Sequence, residues 1–502
     1  MVKRLAGLLH GVIVEDILGQ EDISITGIAA DSRKVTPGCI FVAVPGTAVD
    51  GHEYIGKAIA AGAAAVVCER LPEDTKRGNA TYIKVSSSAV ALGYIASQWY
   101  GNPSRKLQLL GVTGTNGKTT VATLLYHMAR FMGEKAGLIS TVANYIGDVR
   151  IEADHTTPDA ITVNRLLSEM VEAGCTFAAM EVSSHACAQH RIAGLHFSGG
   201  IFTNLTRDHL DYHKTVDEYL KAKKSFFDIL PSSAWALTNV DDKTGLVMLQ
   251  NSRAARRTYS LRGIADFKGR IVESRIDGTL LDLNGHEIET LFTGRFNAYN
   301  LTAVYGASIL VGWDREEVEV SLSRLTPVAG RFQPFRSNSG VTAIVDYAHT
   351  PDAIINVLDT IRALIGDSHS IIAVTGAGGD RDKGKRPIMA REAALRADRL
   401  ILTSDNPRSE RPEDIIADMD AGLDETLRMR TLAIVDRRQA IRTAVMLAKP
   451  GDVVVVLGKG HETYELIQEG KVRPALIIGA PVGFVNVVEA KELIMTAGVP
   501  YI

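Results

Sequence analysis

The segment Gly111-Val-Thr-Gly-Thr-Asn-Gly-Lys-Thr-Thr120 has the composition of a phosphate-binding loop. Glycines let backbone N–H groups turn inward on phosphate oxygens, and a helix that follows points its positive end at the same place. Lys118 can then reach the terminal phosphates, and the hydroxyl of Thr119 can join a Mg2+ shell. The match to G-x-x-x-x-G-K-[ST] is imperfect, because Val112 stands where a glycine is asked for and glycines occupy 111 and 114 instead. A glycine turn with an incidental lysine is the bland alternative. It fits poorly, since the apolar run Leu107 to Val112 precedes the loop and a helical pattern follows from Thr119.

Two further residues carry chemistry. Glu181 follows the apolar stretch Phe177 to Met180, a predicted strand end, and supplies the hard oxygen that Mg2+ prefers. Taken alone, a solvated loop carboxylate explains it as well. Lys223 falls on the apolar stripe of a predicted helix, with Val216, Tyr219, Leu220, Phe226, Phe227 and Leu230 on the same face, whereas Lys221 and Lys224 fall away from it. A lysine so placed loses solvation, its pKa falls, and the neutral amine can react with CO2 to give an anionic carbamate. Spacing alone favours a lysine that snorkels to the surface.

Elements must position these groups, and 502 residues are too many for one core. The expected fold class is α/β in three regions: 1–89, 90–330 and 331–502. The first alternates short apolar runs with turns, at Ile25 to Ala29, Ile40 to Val44, Ala64 to Cys68 and Tyr82 to Val85. The second opens with the phosphate loop. The third repeats one design, a β-branched run that ends in polar or glycine-rich residues. Val341 to Val345 leads to Asp346, Ile371 to Val374 to Gly376, Leu400 to Thr403 to Asp405, and Val453 to Leu457 to Gly458. Ligands of open α/β sheets bind beyond the carboxyl ends of strands, so these four loops point to one shared cleft.

Composition excludes other classes. Apolar residues make up 46% and charged residues 23%, and the net charge of −3 provides no basic field for nucleic acid. Cys39, Cys68, Cys175 and Cys187 form no C-x-x-C pair, so ordinary buried thiols in a reducing, cytoplasmic setting are expected. Lys3 and Arg4 before the apolar stretch Leu5 to Val14 resemble a weak signal peptide, but His10 interrupts it and Glu15 and Asp16 follow. No apolar run reaches the ~18 residues of a membrane span.

The variant Gly114-Thr-Asn-Gly-Lys-Thr119 resembles the phosphate loop of the Mur ligases and their folylpolyglutamate synthetase relatives. The resemblance extends over nearly the whole chain, through Asp31-Ser-Arg33, Phe41 to Gly46, Glu181-Val-Ser-Ser-His185, Thr203 to Asp211, Gly330-Arg331, Asp346-Tyr-Ala-His349 and Gly458-Lys-Gly-His-Glu462. It implies a small UDP-binding α/β domain, a central P-loop ATPase-like domain with a parallel sheet, and a C-terminal Rossmann-like domain. ATP would be held by Gly114, Thr115, Asn116, Gly117, Lys118, Thr119 and Thr120, with Arg331, Asp346 and His349 approaching it when the last domain closes. Mg2+ ligands would be Thr119, Glu181, His209 and Lys223, the last as a carbamate. Lys118, Glu181, His209 and Lys223 are the implied catalytic group.

Resemblance also implies the substrates. Ser32, Arg33, Thr47, Ala48 and Val49 match the uridine end of a UDP-muramoyl dipeptide site. Thr156, Thr157, Ser183, Gln189 and Arg191 match family positions that hold the UDP-muramoyl dipeptide. Asp405-Asn406-Pro407-Arg408 is similar to the substrate-binding signature of the branch that adds meso-diaminopimelate, and the resemblance completes that site with Arg381 near a carboxylate, Gly458, and Glu462 on the far ammonium. A guanidinium is a natural partner for the extra carboxylate that distinguishes diaminopimelate from lysine, and a buried unpaired Arg408 would reject lysine strongly. An Asn-Pro turn with a solvent-exposed arginine is the alternative on residues alone. The expectation is therefore a monomeric ligase of peptidoglycan synthesis that acts on small molecules. Its rivals are a lysine-adding ligase, a folylpolyglutamate synthetase, a P-loop ATPase of another role and a nucleotide-binding protein without catalysis.

Overall fold

The computed structural model describes residues 2–46, 49–72, 80–153, 155–337 and 340–458. Of the site residues expected above, Thr47, Ala48 and Glu462 lie outside the described residues.

Among the described residues three large sheets, beside one two-stranded pair, carry the chain, each the scaffold of one region. The first has five strands in the order Val14–Leu18, Thr81–Val85, Ala65–Cys68, Ile40–Val42, Ile28–Ala29, parallel except for the first. The apolar run from Ile25 to Ala29 is broken at Thr26 and Gly27 into two short strands that pair with different partners. The stretch that resembled a leader is divided as well. Leu5–Leu8 is a helical turn with Leu5 and Leu8 buried, and Val14 opens a strand. The helix Ser88–Trp99 runs through the expected boundary at 89. It packs Ala91, Leu92, Ile95 and Trp99 on the first core.

The central sheet has eleven strands. Seven consecutive strands, from Ala136–Ile139 to Phe267–Arg275, run parallel around Gln108–Thr113, and an antiparallel hairpin borders each side. Leu109 to Thr113 and Phe177 to Glu181 are buried along their length, as strands covered by helices on both faces must be. Gly111 lies inside this sheet rather than in the phosphate loop. A Cβ there would come within 2.5 Å of the Phe226 ring, so the glycine serves packing and not phosphate contact, against the expectation.

The third sheet has six strands in the order Gln333–Arg336, Thr342–Asp346, Val453–Leu457, Ile371–Thr375, Arg399–Leu402, Thr431–Ala433, parallel except for the first. The strands ending at Asp346, Leu457, Thr375 and Leu402 are adjacent, so their carboxyl ends open on one edge. That adjacency is what brings the four chemically loaded loops together.

Candidate active site

The phosphate loop is held by its neighbour rather than by itself. Thr115 N donates to Asn204 O at 2.8 Å, Asn116 N to Asn204 Oδ1 at 3.0 Å, and Thr203 Oγ1 to Asn116 O at 2.6 Å. Close approach demands glycine at two places. Gly114 has φ +148° and a Cβ there would fall 1.9 Å from Thr203 Oγ1. Gly117 has φ +88° and a Cβ would fall 2.5 Å from Asn300 Oδ1. The helix Lys118–Phe131 follows at once, aiming its N-terminus at the cavity.

Two lysines meet at this loop. Lys118 Nζ donates to Gly114 O at 2.9 Å and Thr115 O at 2.8 Å, and Lys223 Nζ donates to Gly114 O at 2.7 Å. Lys223 sits on the helix Val216–Asp228 with Tyr219, Phe226 and Phe227 buried beside it, and is 1% exposed. It does not snorkel. Burial, then the charge of Lys118, holds its pKa far below the usual lysine range. Val216, expected on the same stripe, is exposed, because the helix has only begun there.

Glu181 ends its strand fully buried. Oε1 accepts from Thr141 N at 2.7 Å, and Oε2 has no hydrogen-bond partner. His209 has φ +55°, and burial lowers its pKa to about 3, helped by His185 and opposed by Asp208. The His185 and His209 rings meet edge to face with centroids 4.9 Å apart. Among the described residues no group of three or more His, Cys, Asp or Glu side chains is arranged to hold a metal.

Loops of the third region close over the second. Arg331 Nη2 donates to Thr119 Oγ1 at 3.0 Å and its guanidinium lies 4.3 Å from the Tyr347 ring centre. Asn116 Nδ2 reaches Asp352 at 3.5 Å. The buried Asp208 faces three groups, Lys385 Nζ at 3.4 Å, His209 Nε2 at 3.5 Å and His349 Nε2 at 3.7 Å. Burial alone would raise its pKa, but these neighbours, His349 foremost, hold it well below the usual carboxylate range. Asp346 accepts from Phe332 N and Ala348 N, both at 2.7 Å, so its oxygens pin backbone, while its side chain borders the cavity.

The residues expected to hold the UDP-muramoyl dipeptide form one cluster. Arg191 donates to Thr157 O at 2.7 Å and grips Gln189 Oε1 through Nε and Nη2 at 3.0 and 2.7 Å. Thr157 Oγ1 bonds Glu181 O at 2.8 Å and Ser183 Oγ at 3.3 Å, and Thr156 Oγ1 accepts from Thr141 Oγ1 at 3.0 Å.

A single cavity of about 870 Å³ joins these groups. Residues 115–120 line it, together with Glu181, His209, Lys223, Arg331 and His349, and so do Thr156, Thr157, Ser183 and Arg191. Arg381, Asp405, Asn406, Arg408 and Gly458 line its other wall. Gly458, at φ +107°, leaves room for the Asp405 carboxylate, which a Cβ would approach to 2.8 Å. Gly114, Gln189 and Pro407 support the wall without lining it, and Ser32, Arg33 and Val49 lie away from the cavity. Arg33 is paired with Asp31, Nη2 to Oδ2 at 2.7 Å, in the open.

One expectation needs correction. Arg408 is exposed, and its Nη1 donates to Gly379 O. An exposed guanidinium keeps water when its ligand is missing, so a heavy penalty on lysine is not built into this state. Sequence reasoning also missed Asn297, Asn300, Asp208, Asp352 and Lys385, all on the cavity wall. For the asparagines a signal existed. They stand three apart on the apolar helix Arg295–Val311, which puts two amides on one face.

Comparison with known proteins agrees along the chain. Three models match in succession: "Mur ligase family, catalytic domain" at residues 24–100, "Mur ligase middle domain" at 112–308 and "Mur ligase, glutamate ligase domain" at 330–460. A further model, described as precorrin-8X methylmutase, matches residues 426–502. It spans too little of the chain to assign it, and most of its match lies outside the described residues. The chain is 61% identical over 464 residues to a Parabacteroides distasonis protein named UDP-N-acetylmuramoyl-L-alanyl-D-glutamate--2,6-diaminopimelate ligase, covering 92% of this chain and 95% of that one. A protein of the same name from Bacteroides fragilis is 58% identical, covering 93% and 96%. A solved structure of that name superposes with a TM-score of 0.67 at 32% identity over 99% of both chains. MurF ligase from Thermotoga maritima in complex with ADP shares the fold, with a TM-score of 0.58 at 18% identity over 86% of this chain and 93% of that one.

Proposed function

Because this chain belongs to the Mur ligase family, we propose that it is the acid–amino-acid ligase that joins meso-2,6-diaminopimelate to UDP-N-acetylmuramoyl-L-alanyl-D-glutamate in peptidoglycan synthesis, at the expense of ATP. The observation that carries it is the shared cavity. Its one wall holds Lys118, Glu181, His209 and Lys223, and its other holds Arg381 and Arg408. That proximity supports a reading in which phosphate transfer and recognition of an acceptor with two carboxylates share one space.

The reaction has two steps. The free carboxylate of the dipeptide attacks the γ-phosphorus of ATP, ADP leaves, and an acyl phosphate forms. The amine of the acceptor then attacks the acyl carbon through a tetrahedral oxyanion, and inorganic phosphate leaves as the amide forms. Lys118 turns from its own loop carbonyls to the terminal phosphates, and Thr119 and Arg331 hold the same end of the nucleotide. Arg191, Thr157 and Ser183 orient the peptide carboxylate, which lets binding energy act at the reacting centre.

Residues present fit magnesium. Glu181 Oε2 is buried with no partner, and His209 is held neutral by burial. The neutral amine of Lys223 can attack CO2 and lose a proton, turning a buried neutral amine into an anionic ligand. Glu181, Thr119, His209 and carbamylated Lys223 would hold the ions, which neutralise the phosphate charge as it shifts.

No described helix is long and apolar enough to cross a membrane. The reading is of a cytoplasmic monomer that acts on small molecules and not on nucleic acid.

The deciding experiment measures phosphate release with ATP, Mg2+ and UDP-muramoyl-alanyl-glutamate, with meso-diaminopimelate, L-lysine or no amino acid, and product masses. A new amide with diaminopimelate only is expected. Amide formation with lysine instead would overturn the role of Arg408, and release without an acceptor would overturn the ligase.

A further inference from the structure

Arg386 is the bulkiest fully buried side chain among the described residues. It opens the helix Arg386–Arg396, and its guanidinium is committed to three neighbours. Nη1 and Nη2 grip the two oxygens of Glu410 at 2.9 and 2.8 Å, Nη1 also meets Asp418 at 2.8 Å, and Nη2 donates to Gly378 O at 3.2 Å. Glu410 accepts in addition from the backbone N of Asp380 at 2.6 Å and pairs with Lys383 at 3.1 Å. Neither Arg386 nor Glu410 lines the cavity. A buried guanidinium is costly to desolvate, so its retention calls for a reason.

The reason is legible in what the pair holds. Gly378 and Asp380 belong to the loop that carries Arg381. Glu410 follows Arg408 by two residues. The same two loops are stitched directly: Gly379 N donates to Asn406 O at 2.8 Å, Arg408 Nη1 to Gly379 O, and Ser409 to Asp380 through N at 3.1 Å and Oγ at 2.7 Å. Space between them is closed, since a Cβ on Gly379 would fall 1.8 Å from Pro407 O. Asp380 and Arg408 hold φ of +52° and +51°, a region that side chains other than glycine seldom adopt, so the contacts around them must impose it.

We propose that the Arg386–Glu410 pair is a positioning device that fixes Arg381 and Arg408 relative to one another and thereby sets selection of an acceptor amino acid bearing a second carboxylate. It rests on the acceptor reading given above. Arg381 and Arg408 are both exposed and would each sweep many rotamers on a loose loop. Paired recognition of two carboxylates needs both guanidinium groups placed beforehand, because ordering them at the moment of binding subtracts from affinity. Bidentate contact beneath the loops places them without touching the substrate.

Glu410→Gln breaks one half of the grip, Arg386→Lys replaces the fork with a point charge, and Ser409→Ala removes one exposed stitch between the same loops. The experiment measures kcat and the KM of each of the three substrates for these full-length variants, with the preference for meso-diaminopimelate over lysine and thermal unfolding alongside. Expected is a rise of about tenfold or more in the diaminopimelate KM for Glu410→Gln and Arg386→Lys, smaller and in the same direction for Ser409→Ala, with preference over lysine falling in step. The KM values of ATP and the UDP substrate should stay within about threefold. A purely structural role would raise all three KM values together, and that result, or an unchanged diaminopimelate KM, overturns the proposal. If one buried variant fails to fold the other decides it, and if both fail Asp418→Asn, which loosens the Arg386 guanidinium from its exposed side and should shift the diaminopimelate KM in the same direction, decides it. Should the wild type add a different amino acid, the acceptor reading falls, and the positioning role is then decided on the KM of that amino acid.

Discussion

Lys118 and Lys223 donate to the same carbonyl, that of Gly114, at 2.9 and 2.7 Å. One residue opens the phosphate-loop helix and the other lies on a helix more than a hundred positions later, yet their ammonium groups converge on one oxygen. Burial lowers the pKa of both, and the charge of Lys118 lowers that of Lys223 further. The charge of Lys118 favours the neutral amine of Lys223, and carbamylation of that amine would set an anion beside the remaining cation.

Carbamylation of Lys223 therefore has a direct readout. Enzyme equilibrated with 13C-bicarbonate should show a carbamate carbonyl resonance that is missing from Lys223→Gln. The same variant should lose about 100-fold or more in kcat/KM. A spectrum without that signal in fully active enzyme removes Lys223 from the ligand set.

Glu181→Gln should fold normally, since an amide oxygen still accepts from Thr141 N. Its unpartnered Oε2 is replaced by a neutral group, so the Mg2+ concentration for half-maximal activity should rise about tenfold or more. A magnesium titration at fixed ATP checks this, and an unchanged midpoint would exclude Glu181 as a ligand.

Gly117→Ala should weaken nucleotide binding before it unfolds the chain. The new Cβ meets Asn300 Oδ1 at 2.5 Å, and φ of +88° is strained for alanine by about 1 kcal/mol. Calorimetric ADP binding should fall by about tenfold or more. Equal affinity in the variant would mean that the loop reshapes freely.

Stability should fall with pH between about 6.5 and about 4. Burial, the leading cause in each case, lowers His127 and His185 to about 4 and His209 to about 3. In the unfolded chain each takes up a proton as the pH passes 6.5, while in the folded chain each stays neutral until the lower value. Over that window the unfolded state binds more protons, so acidification favours it. Urea midpoints at about pH 7 and about pH 5 should show the loss, and His127→Gln should flatten part of the slope while leaving the cavity intact. A midpoint that rises on acidification would contradict the burial argument.

How much of this was legible varied with the range of the signal. The phosphate loop, the strand before it and the helix after it are written in consecutive residues, whereas the apolar stripe around Lys223 by itself favoured a snorkelling lysine and only the family resemblance pointed to a buried one. Arg408 was legible as a residue type but not as an environment. Its exposure depends on how the loop after Arg399–Leu402 stands against the loop after Ile371–Thr375, which neighbouring residues do not encode. Asp208, Asp352 and Lys385 were missed because a single charged residue in a loop carries no period, and only its partners give it meaning.

By itself the sequence determined the local units, their α/β order and the chemistry of each loop, since hydrophobic periodicity and glycine placement act over a few residues. Tertiary structure alone decided which loops share a cavity. Strand order in the third sheet places the ends at Asp346, Leu457, Thr375 and Leu402 side by side, although they are far apart in the chain. Docking of that sheet on the central one sets Lys385 against Asp208 across 177 positions and Arg331 against Thr119 across 212. Such contacts follow from packing two cores against each other, and no local pattern can carry them.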